Sequence, residues 1–420
     1  MAVCPTLRDH RELRMVCGEQ IAVLGHDYAT SALEDLSASE PSAGVLIDPP
    51  EVEIERILQR CVSEHVQAIV STDDYPGATI AAIVAKRLNL PGVSPEANLL
   101  CQHKYLSRQI QRAAAPEAVP KFHLLNANPE ADLPPDLEFP VFVKPVKSFF
   151  SVGAGRVDSL GQLRSIQKEW LNKASFFQPF DAMLQKYAGH AMRTEFLLAE
   201  ELLTGWQTTL DGYVYHGEVF PVGVVDSIMF PGTIAFQRFE YPSRLPETVQ
   251  HRMRGIAKKV MDKMDFGEGQ FNMEFIYDPA ADTVRIVEIN PRMSSQFGDL
   301  YEKVDGRNSY NIMLDLALGR RPGPPGKGRH AMAASCVLRT FQNQKVMKLP
   351  SREQVQKLLN HYPDMRIEIL ATEGLRLSQQ MQDGCSYRYG LINIGGRDRE
   401  EILEVFDHCS SELTFVFEAA

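Results

Sequence analysis

Two short segments decide the fold of this chain: Gln270-Phe271-Asn272-Met273-Glu274-Phe275 and Val287-Glu288-Ile289-Asn290-Pro291-Arg292. Both alternate polar and apolar residues, as β-strands with one buried face do. The turn-forming residues 278–282 between them predict that the two strands form a hairpin. The apolar residues of the hairpin are predicted to face the core, and they are Phe271, Met273, Phe275, Ile286, Val287 and Ile289.

The polar faces of the two strands carry the residue types of a nucleotide site. Asn272 and Glu274 share one face of the first strand, because side chains alternate along a strand. Glu288, Asn290 and Arg292 share one face of the second. Carboxylate and amide oxygens suit Mg²⁺, whose further ligands are often substrate phosphates, and a nearby arginine suits a phosphate or an oxyanion. A hairpin with one merely solvated face is the competing interpretation, so motifs elsewhere in the chain must decide.

Composition sets the outer bounds on function. The 420 residues leave room for two or three domains, and 44% hydrophobic with 23% charged residues is typical of a globular protein. A net charge of -10 disfavours nucleic acid as a partner. The seven cysteines are scattered without a C-x-x-C pair, which favours reduced thiols. No signal peptide or membrane span is apparent, so we expect a cytoplasmic protein with no membrane partner.

The first hundred residues alternate predicted strands with predicted helices. The strands are predicted at 20–25, 44–48 and 67–73, and the helices at 30–36, 51–64 and 77–88. This order favours a parallel sheet with right-handed crossovers. No G-x-G-x-x-G pattern follows Gly25, so a dinucleotide site is disfavoured.

Two basic residues lie on the next predicted helix, which runs from 96 to 115. Lys104 and Arg108 are four residues apart and would therefore share one helical face. The pair can serve a polyanion, although such pairs are more often simply solvated.

A lysine ends the apolar strand that follows, Phe139 to Lys147. Lys144 stands directly before a proline, and the small-residue loop 148–155 comes next. Backbone N–H groups in such a loop can hold phosphate oxygens, and the loop can close over them. The absence of a G-K-[ST] sequence excludes a Walker A motif.

The order of these parts resembles the ATP-grasp superfamily, and its carboxylate–amine ligase branch most closely, over residues 20–318. The family's K-x-x-x-R helix and P-x-V-x-K-P strand are similar to His103–Arg108 and Phe139–Pro145. Its hinge and its E-x-N-x-R strand are similar to Ala199–Gly212 and Glu288–Arg292. The resemblance implies an α/β and α+β protein with the ATP-grasp fold, an N-terminal pre-grasp parallel α/β domain and a small C-terminal α+β subdomain.

The resemblance also implies an ATP site. Lys104 and Lys144 would contact the phosphates, and Ser151 and Gly153 would lie in the lid loop above them. The adenine and ribose would meet a hinge formed by Glu200, Glu201, Leu203 and Gln207. The family usually has a glutamate where this chain has Gln207, so the chain departs from the family at the ribose contact. A glutamine amide can still form a hydrogen bond with a sugar hydroxyl.

The implied metal is Mg²⁺ (or Mn²⁺), held by Glu274, Glu288 and Asn290. Arg292 and Lys144 would be the catalytic residues, with Arg292 steadying an acyl phosphate and the oxyanion formed from it. In such a ligase the γ-phosphoryl group activates a carboxylate, an amine then attacks, and ADP, phosphate and an amide are released. The expected substrates are small carboxylates and amines, and the family favours amino acids. A homodimer is compatible with the resemblance.

Two other functions compete with this interpretation. Biotin carboxylase also carries E-x-N-x-R, but Gln296 stands here where that enzyme has an acid, and no A-M-K-M biotin-acceptor segment is present. A nucleotide-binding protein without ligase activity is the third possibility, against which the retained acids and lysines argue.

The chain is divided by a Pro/Gly-rich stretch into the following predicted parts: 1–98, 99–319, the connector 320–330, and a C-terminal α+β subdomain at 331–420. The acceptor side of the site is predicted to comprise 178–195, 213–229, Arg238 and Tyr301.

Overall fold

The computed structural model describes residues 1–18, 21–26, 49–126, 133–148, 152–379 and 386–418. The predicted helix at 30–36, the predicted strand at 44–48 and the lid residue Ser151 lie outside these ranges.

The N-terminal part contains the parallel pairing that the strand–helix alternation predicts. Strand β1 (Ala2–Val3) pairs in parallel with β2 (Gly25–His26), and Ala2 also bridges in parallel to Val70. Helices α2 (Pro50–Ser63) and α3 (Gly77–Arg87) match their predicted positions.

Helix α1 (Leu7–Cys17) was not predicted from the sequence. It starts with a capping box, in which the Thr6 side chain and the Asp9 side chain each accept from the other's backbone N–H. Its first turn lies at the central cavity described below, so this unpredicted helix contributes to the site.

The prediction of a single helix over 96–115 is wrong, because the helix is interrupted at His103. Helix α4 (Pro95–Gln102) ends there and α5 (Lys104–Ala114) begins, with the His103 ring accepting from the Leu106 N–H. The Lys104 N–H donates to the carbonyl of Val146 at 2.7 Å. The break therefore ties the start of α5 to the end of the strand that carries Lys144.

A four-stranded antiparallel sheet follows, in the order β3-β6-β4-β5. Its strands are β3 (Phe122–Leu125), β4 (Val141–Pro145), β5 (Gly155–Val157) and β6 (Leu197–Glu201). Helices α6 (Leu160–Lys173) and α7 (Gln178–Ala188) share its core through Trp170 and Phe180.

The largest element is an antiparallel sheet in the order β11-β10-β7-β8-β9-β12-β15-β14. Its strands are β7 (Trp206–Tyr215), β8 (Glu218–Met229), β9 (Phe236–Tyr241), β10 (Gly269–Asp278), β11 (Thr283–Asn290), β12 (Met332–Thr340), β14 (Arg366–Ile369) and β15 (Tyr387–Gly396). Helix α8 (Glu247–Met264) shares a core with β10 through Met253, Phe271 and Phe275.

The predicted hairpin is formed by β10 and β11, and its register superposes the two polar faces. Asn272 lies opposite Asn290, and Glu274 lies opposite Glu288. The register then shifts, since Phe275 pairs with Ile286 and Val287 becomes the extra residue of a β-bulge. The prediction that Val287 faces the core is therefore wrong: it is half-buried and lines the cavity.

The C-terminal residues continue the large sheet beyond the connector. Strand β12 pairs with β9 on one side and with β15 on the other. The remaining elements are α9 (Gly298–Asp305), α10 (Ser309–Ala317), α11 (Arg352–His361), α12 (Arg399–Glu412), β13 (Val346–Lys348) and β16 (Val416–Phe417). In the part of the chain that the structure describes, no helix is long and apolar enough to cross a membrane.

Candidate active site

A cavity of about 1440 Å³ lies between the two antiparallel sheets. Strands β4 and β6 form one wall, strands β7 to β11 form the opposite wall, and the loop after Val70 with the start of α1 adds a third side. Most residues of the predicted site line it, and they are Lys104, Lys144, Glu200, Glu201, Leu203, Gln207, Glu274, Glu288, Asn290 and Arg292.

The acidic pair of the hairpin is held by amide donors on one side. Gln207 Nε2 donates to Glu274 Oε2 at 2.9 Å, and Asn290 Nδ2 donates to Glu274 Oε1 at 3.4 Å. Asn290 Nδ2 also lies 3.2 Å from Asn272 Oδ1, while Asn290 Oδ1 accepts no hydrogen bond from the described residues. That oxygen is therefore available to a metal ion.

The two carboxylates have opposite electrostatic surroundings. Burial and the charge of Glu288 raise the pKa of Glu274 to about 8. Burial also acts to raise the pKa of Glu288, but Lys104 and Lys144 outweigh it, and the pKa is lowered. A cation between the two acids would oppose both the burial and the Glu288 charge that keep Glu274 protonated at neutral pH.

The donor set fits Mg²⁺ better than a metal held entirely by protein. Within the described residues, no group of three or more His, Cys, Asp or Glu side chains is spaced to hold a metal ion. Two carboxylates and one amide oxygen remain, which is the partial shell that Mg²⁺ typically accepts when phosphates complete it.

At the bulge in β11, one backbone carbonyl accepts hydrogen bonds from two cations of the site. The Val287 carbonyl accepts from Lys144 Nζ at 3.1 Å and from Arg108 Nη2 at 2.8 Å. Lys144 Nζ also lies 2.7 Å from Glu200 Oε2, and Arg108 binds the other oxygen of that carboxylate. Arg108 is thus a buried partner of Glu200, and burial lowers the pKa of the Lys144 ammonium group against the pull of Glu200.

Lys104 lies at the base of the lid and faces the acidic pair. Its Nζ donates to the Ser148 carbonyl at 3.2 Å and lies 3.5 Å from Glu288 Oε2. Beyond the undescribed residues, Gly153 has φ +72°, and a Cβ there would lie 3.0 Å from the Pro145 ring. The lid therefore returns to the β4 strand at a position that favours glycine.

Arg292 is held loosely. Its guanidinium lies 3.8 Å from Asp74 Oδ2 and makes one long hydrogen bond, 3.4 Å, to the Met293 carbonyl. Burial acts to raise the pKa of Asp74, but Arg292, Lys147 and Lys104 outweigh it and hold the pKa below its usual value. An ionised carboxylate and a guanidinium with few hydrogen bonds thus face each other at the cavity.

The predicted acceptor side is only partly correct. The end of β8, from Asp226 to Met229, lines the cavity, but residues 178–195 do not. Tyr301 is buried and donates to Asp211 Oδ2 at 2.9 Å, and Arg238 binds Glu240. Both side chains are bonded within the protein, and neither lines the cavity.

Several cavity residues were missed by the sequence analysis. Arg8 donates through two nitrogens to both oxygens of Glu368, and its Nη1 reaches Ser295 Oγ at 3.0 Å. This clasp joins α1 to β14 across 360 residues, a distance over which sequence patterns carry no signal. For Asp73 and Asp74 a sequence signal did exist, because they stand at the end of a predicted parallel strand, where ligands commonly bind.

Comparisons with known proteins agree with this architecture. Residues 137–299 match the sequence profile of the ATP-grasp domain family. Residues 137–299 therefore correspond to an ATP-grasp domain, which confirms the resemblance to the ATP-grasp superfamily and the predicted fold class. No curated protein matches the chain by sequence.

Solved structures of similar fold extend over nearly the whole chain. The L-amino acid ligase from Bacillus licheniformis is 16% identical with a TM-score of 0.72, over 100% of this chain and 98% of that one. Biotin carboxylase from Campylobacter jejuni is 16% identical with a TM-score of 0.66, over 99% and 91%. An N5-carboxyaminoimidazole synthase from Aspergillus clavatus, in complex with ADP and 5-aminoimidazole ribonucleotide, is 14% identical with a TM-score of 0.67. The match covers 98% of this chain and 97% of that one. At these identities the likeness establishes the fold.

Proposed function

We propose that this protein is an ATP-dependent carboxylate–amine ligase that forms an amide through an acyl phosphate. The observation that carries the proposal is the register of the hairpin, which sets Glu274 opposite Glu288 in a cavity that is also lined by Lys104, Lys144 and Arg292. Two acids and three cations around one cavity suit a polyphosphate with its divalent ion.

The nucleotide is proposed to lie between the two sheets. Glu201 and Leu203 border a partly apolar slot with Phe142 and Ile276, which suits the flat face of adenine. Lys104 and Lys144 would bind the phosphates, with Ser151 and Gly153 in the lid above them. Gln207 is already bonded to Glu274, so a contact with ribose would require its amide to turn.

The divalent ion, Mg²⁺ or Mn²⁺, would be held by Glu274, Glu288 and Asn290 and would supply charge neutralisation for the transferred phosphoryl group. Lys144 orients the phosphate and keeps its position through Glu200 and the Val287 carbonyl. Arg292 binds the developing oxyanion when the amine attacks, since it is the least restrained cation of the wall.

Carboxylation of biotin is the second candidate, because the fold is shared with a biotin carboxylase. Gln296 lines the cavity, and its amide donates to Ser335 Oγ at 2.9 Å. An amide cannot accept a proton from bicarbonate, so the residues favour the ligase.

A panel assay separates these functions. ADP release is measured with each amino acid singly and in pairs, with and without bicarbonate. The ligase proposal expects release that depends on an acid and an amine. Release that depends on bicarbonate alone, or ATP binding with no release for any pair, would overturn it.

A further inference from the structure

The carboxylates that line the cavity differ in how far their hydrogen-bonding capacity is already used. Eight of the described residues contribute one. Six of them accept hydrogen bonds from protein groups: Asp73, Glu200, Glu201, Asp226, Glu274 and Glu368. The other two, Asp74 and Glu288, accept none from the described residues, and each has one cation, Arg292 or Lys104, at a looser distance. Glu288 belongs to the proposed metal site, which leaves Asp74 without an assigned partner.

The backbone of Asp74 is held in place by its neighbours, although its carboxylate accepts no hydrogen bond from the described residues. The next residue, Tyr75, is buried between Phe177 and Phe180, and the Lys147 ammonium lies 4.8 Å from its ring centroid. On the other side of Asp74, the Asp73 carboxylate accepts from the Gly77 N–H at 2.7 Å. The Asp74 backbone is therefore fixed from both directions, as a recognition residue requires.

The position of Asp74 relative to Arg292 defines what it can recognise. The two groups are 3.8 Å apart, both side chains are about one-quarter exposed to the cavity, and no direct hydrogen bond joins them. In the proposed ligase, Arg292 lies at the acyl carbon. A group held by Asp74 is then adjacent to the carbon that the amine must attack.

We propose that Asp74 is the specificity residue for the amine substrate, and that it binds the ammonium group of an amino acid. The ammonium group then gives one proton to water, the neutral amine attacks the acyl carbon, and phosphate leaves with the second proton of the nitrogen. The inference rests on the proposed ligase function and adds a substrate class to it. Arg292 stays with the oxyanion, and a 2-hydroxy acid offers Asp74 a neutral hydroxyl in place of the ammonium group, so it gains no ion pair there. Amino acids are thereby selected over 2-hydroxy acids of the same shape.

Calorimetry on the full chain tests this directly. Each of the 20 common amino acids and the 2-hydroxy acids of glycine, alanine and leucine are titrated with Mg²⁺ and a non-hydrolysable ATP analogue present. The parent protein is expected to bind at least one of those three amino acids and to bind its hydroxy analogue far more weakly. Asp74→Asn should weaken binding of that amino acid by roughly 10- to 100-fold, the value of a hydrogen-bonded charge, with the ATP analogue unaffected.

Two further variants guard against a folding artefact. Asp74→Glu keeps the charge and should restore part of the affinity. Asp262→Asn removes a carboxylate from the exposed face of α8 and should bind like the parent. The inference is overturned by unchanged amino acid binding in Asp74→Asn, by equal binding of amino and hydroxy acids in the parent, or by no amino acid binding at all.

Hydroxylamine distinguishes failure of this inference from failure of the ligase proposal. It is uncharged at neutral pH and so does not need Asp74. A parent that forms hydroxamates from an acid and ATP supports the ligase whatever Asp74 does. Asp74→Asn should form them at the parental rate, and a loss of hydroxamate in that variant would contradict the assignment to the amine.

Discussion

At the scale of single residues, the site depends on charges that are partly but not fully compensated. Glu200 is buried with two cations, whereas Glu274 and Glu288 face each other with only amides and more distant lysines nearby. The first arrangement stabilises the fold around Lys144, and the second keeps Glu274 protonated at neutral pH until a metal ion binds.

Glu288→Gln should abolish turnover and leave the fold intact. The variant removes a proposed metal ligand whose carboxylate accepts no hydrogen bond from the described residues, so the free energy of unfolding should stay within about 1 kcal/mol of the parent. Phosphate release and chemical denaturation measure the two effects. Near-normal phosphate release with saturating Mg²⁺ would show that the metal assignment is wrong.

Lys144→Met should weaken ATP binding by about 1.5–3 kcal/mol, the loss of one charge-assisted contact. It should also lower stability, because Glu200 keeps only Arg108 as a charged partner. Calorimetry with ATP gives the first quantity, and Lys168→Met, a change on the exposed face of α6, serves as the control. Parental ATP affinity in Lys144→Met would rule out its role at the phosphates.

Divalent-ion binding should depend on pH through Glu274. With a pKa of about 8 the carboxyl is protonated at neutral pH, so binding of the ion releases a proton. Apparent Mn²⁺ affinity, measured by electron paramagnetic resonance, should rise with pH between 6 and 8 by up to roughly tenfold per unit and then level off. Glu274→Gln should remove this slope, and a flat profile in the parent would contradict it.

At the scale of elements, the hairpin illustrates what sequence can and cannot predict. The alternation in β10 and β11 is local, and it correctly placed Glu274 on the polar face of the first strand and Glu288 on the polar face of the second. The register of the hairpin brings the two faces together. The bulge at Val287 shifts the register by one residue. The Val287 carbonyl accepts hydrogen bonds from cations on two other elements, Arg108 on α5 and Lys144 on β4. No local pattern encodes that requirement.

Other elements escaped prediction for the same reason. The break at His103 is set by the contact of Lys104 with Val146, and the cavity wall at Arg8 is set by Glu368, far along the chain. The site residues that were predicted are those with a family motif around them. Arg8 was missed because a distant tertiary contact brings it to the cavity, whereas Asp74 was missed although it follows a predicted strand.

The turn between β6 and β7 offers a test of the cavity rim. Gly205 has φ +128°, and a Cβ there would lie 2.2 Å from the Tyr277 carbonyl oxygen. Gly205→Ala should therefore destabilise the protein by about 1–3 kcal/mol. Gly255→Ala, within α8 and with nothing near its Cβ, should instead stabilise it by about 0.5–1 kcal/mol. Equal denaturation midpoints for the two variants would contradict this account of the turn.

At the scale of the whole molecule, the cavity is formed by parts that are distant in the sequence. The large sheet runs without interruption from β11 to β14, so the strands beyond the connector belong to the same sheet as the hairpin. The Arg8–Glu368 clasp joins the N-terminal helix to the edge strand of that sheet. The proposed activity thus depends on all the predicted parts of the chain, including the segment beyond residue 330.

Trapping with hydroxylamine tests the central claim most directly. The protein is incubated with ATP, Mg²⁺ and each amino acid as the acid, and hydroxylamine replaces the amine. The account predicts a hydroxamate of at least one acid, with ADP in equal amount, and a reduced yield in Arg292→Ala at little-changed ATP affinity. ADP release that requires bicarbonate, with no hydroxamate from any acid, would contradict it.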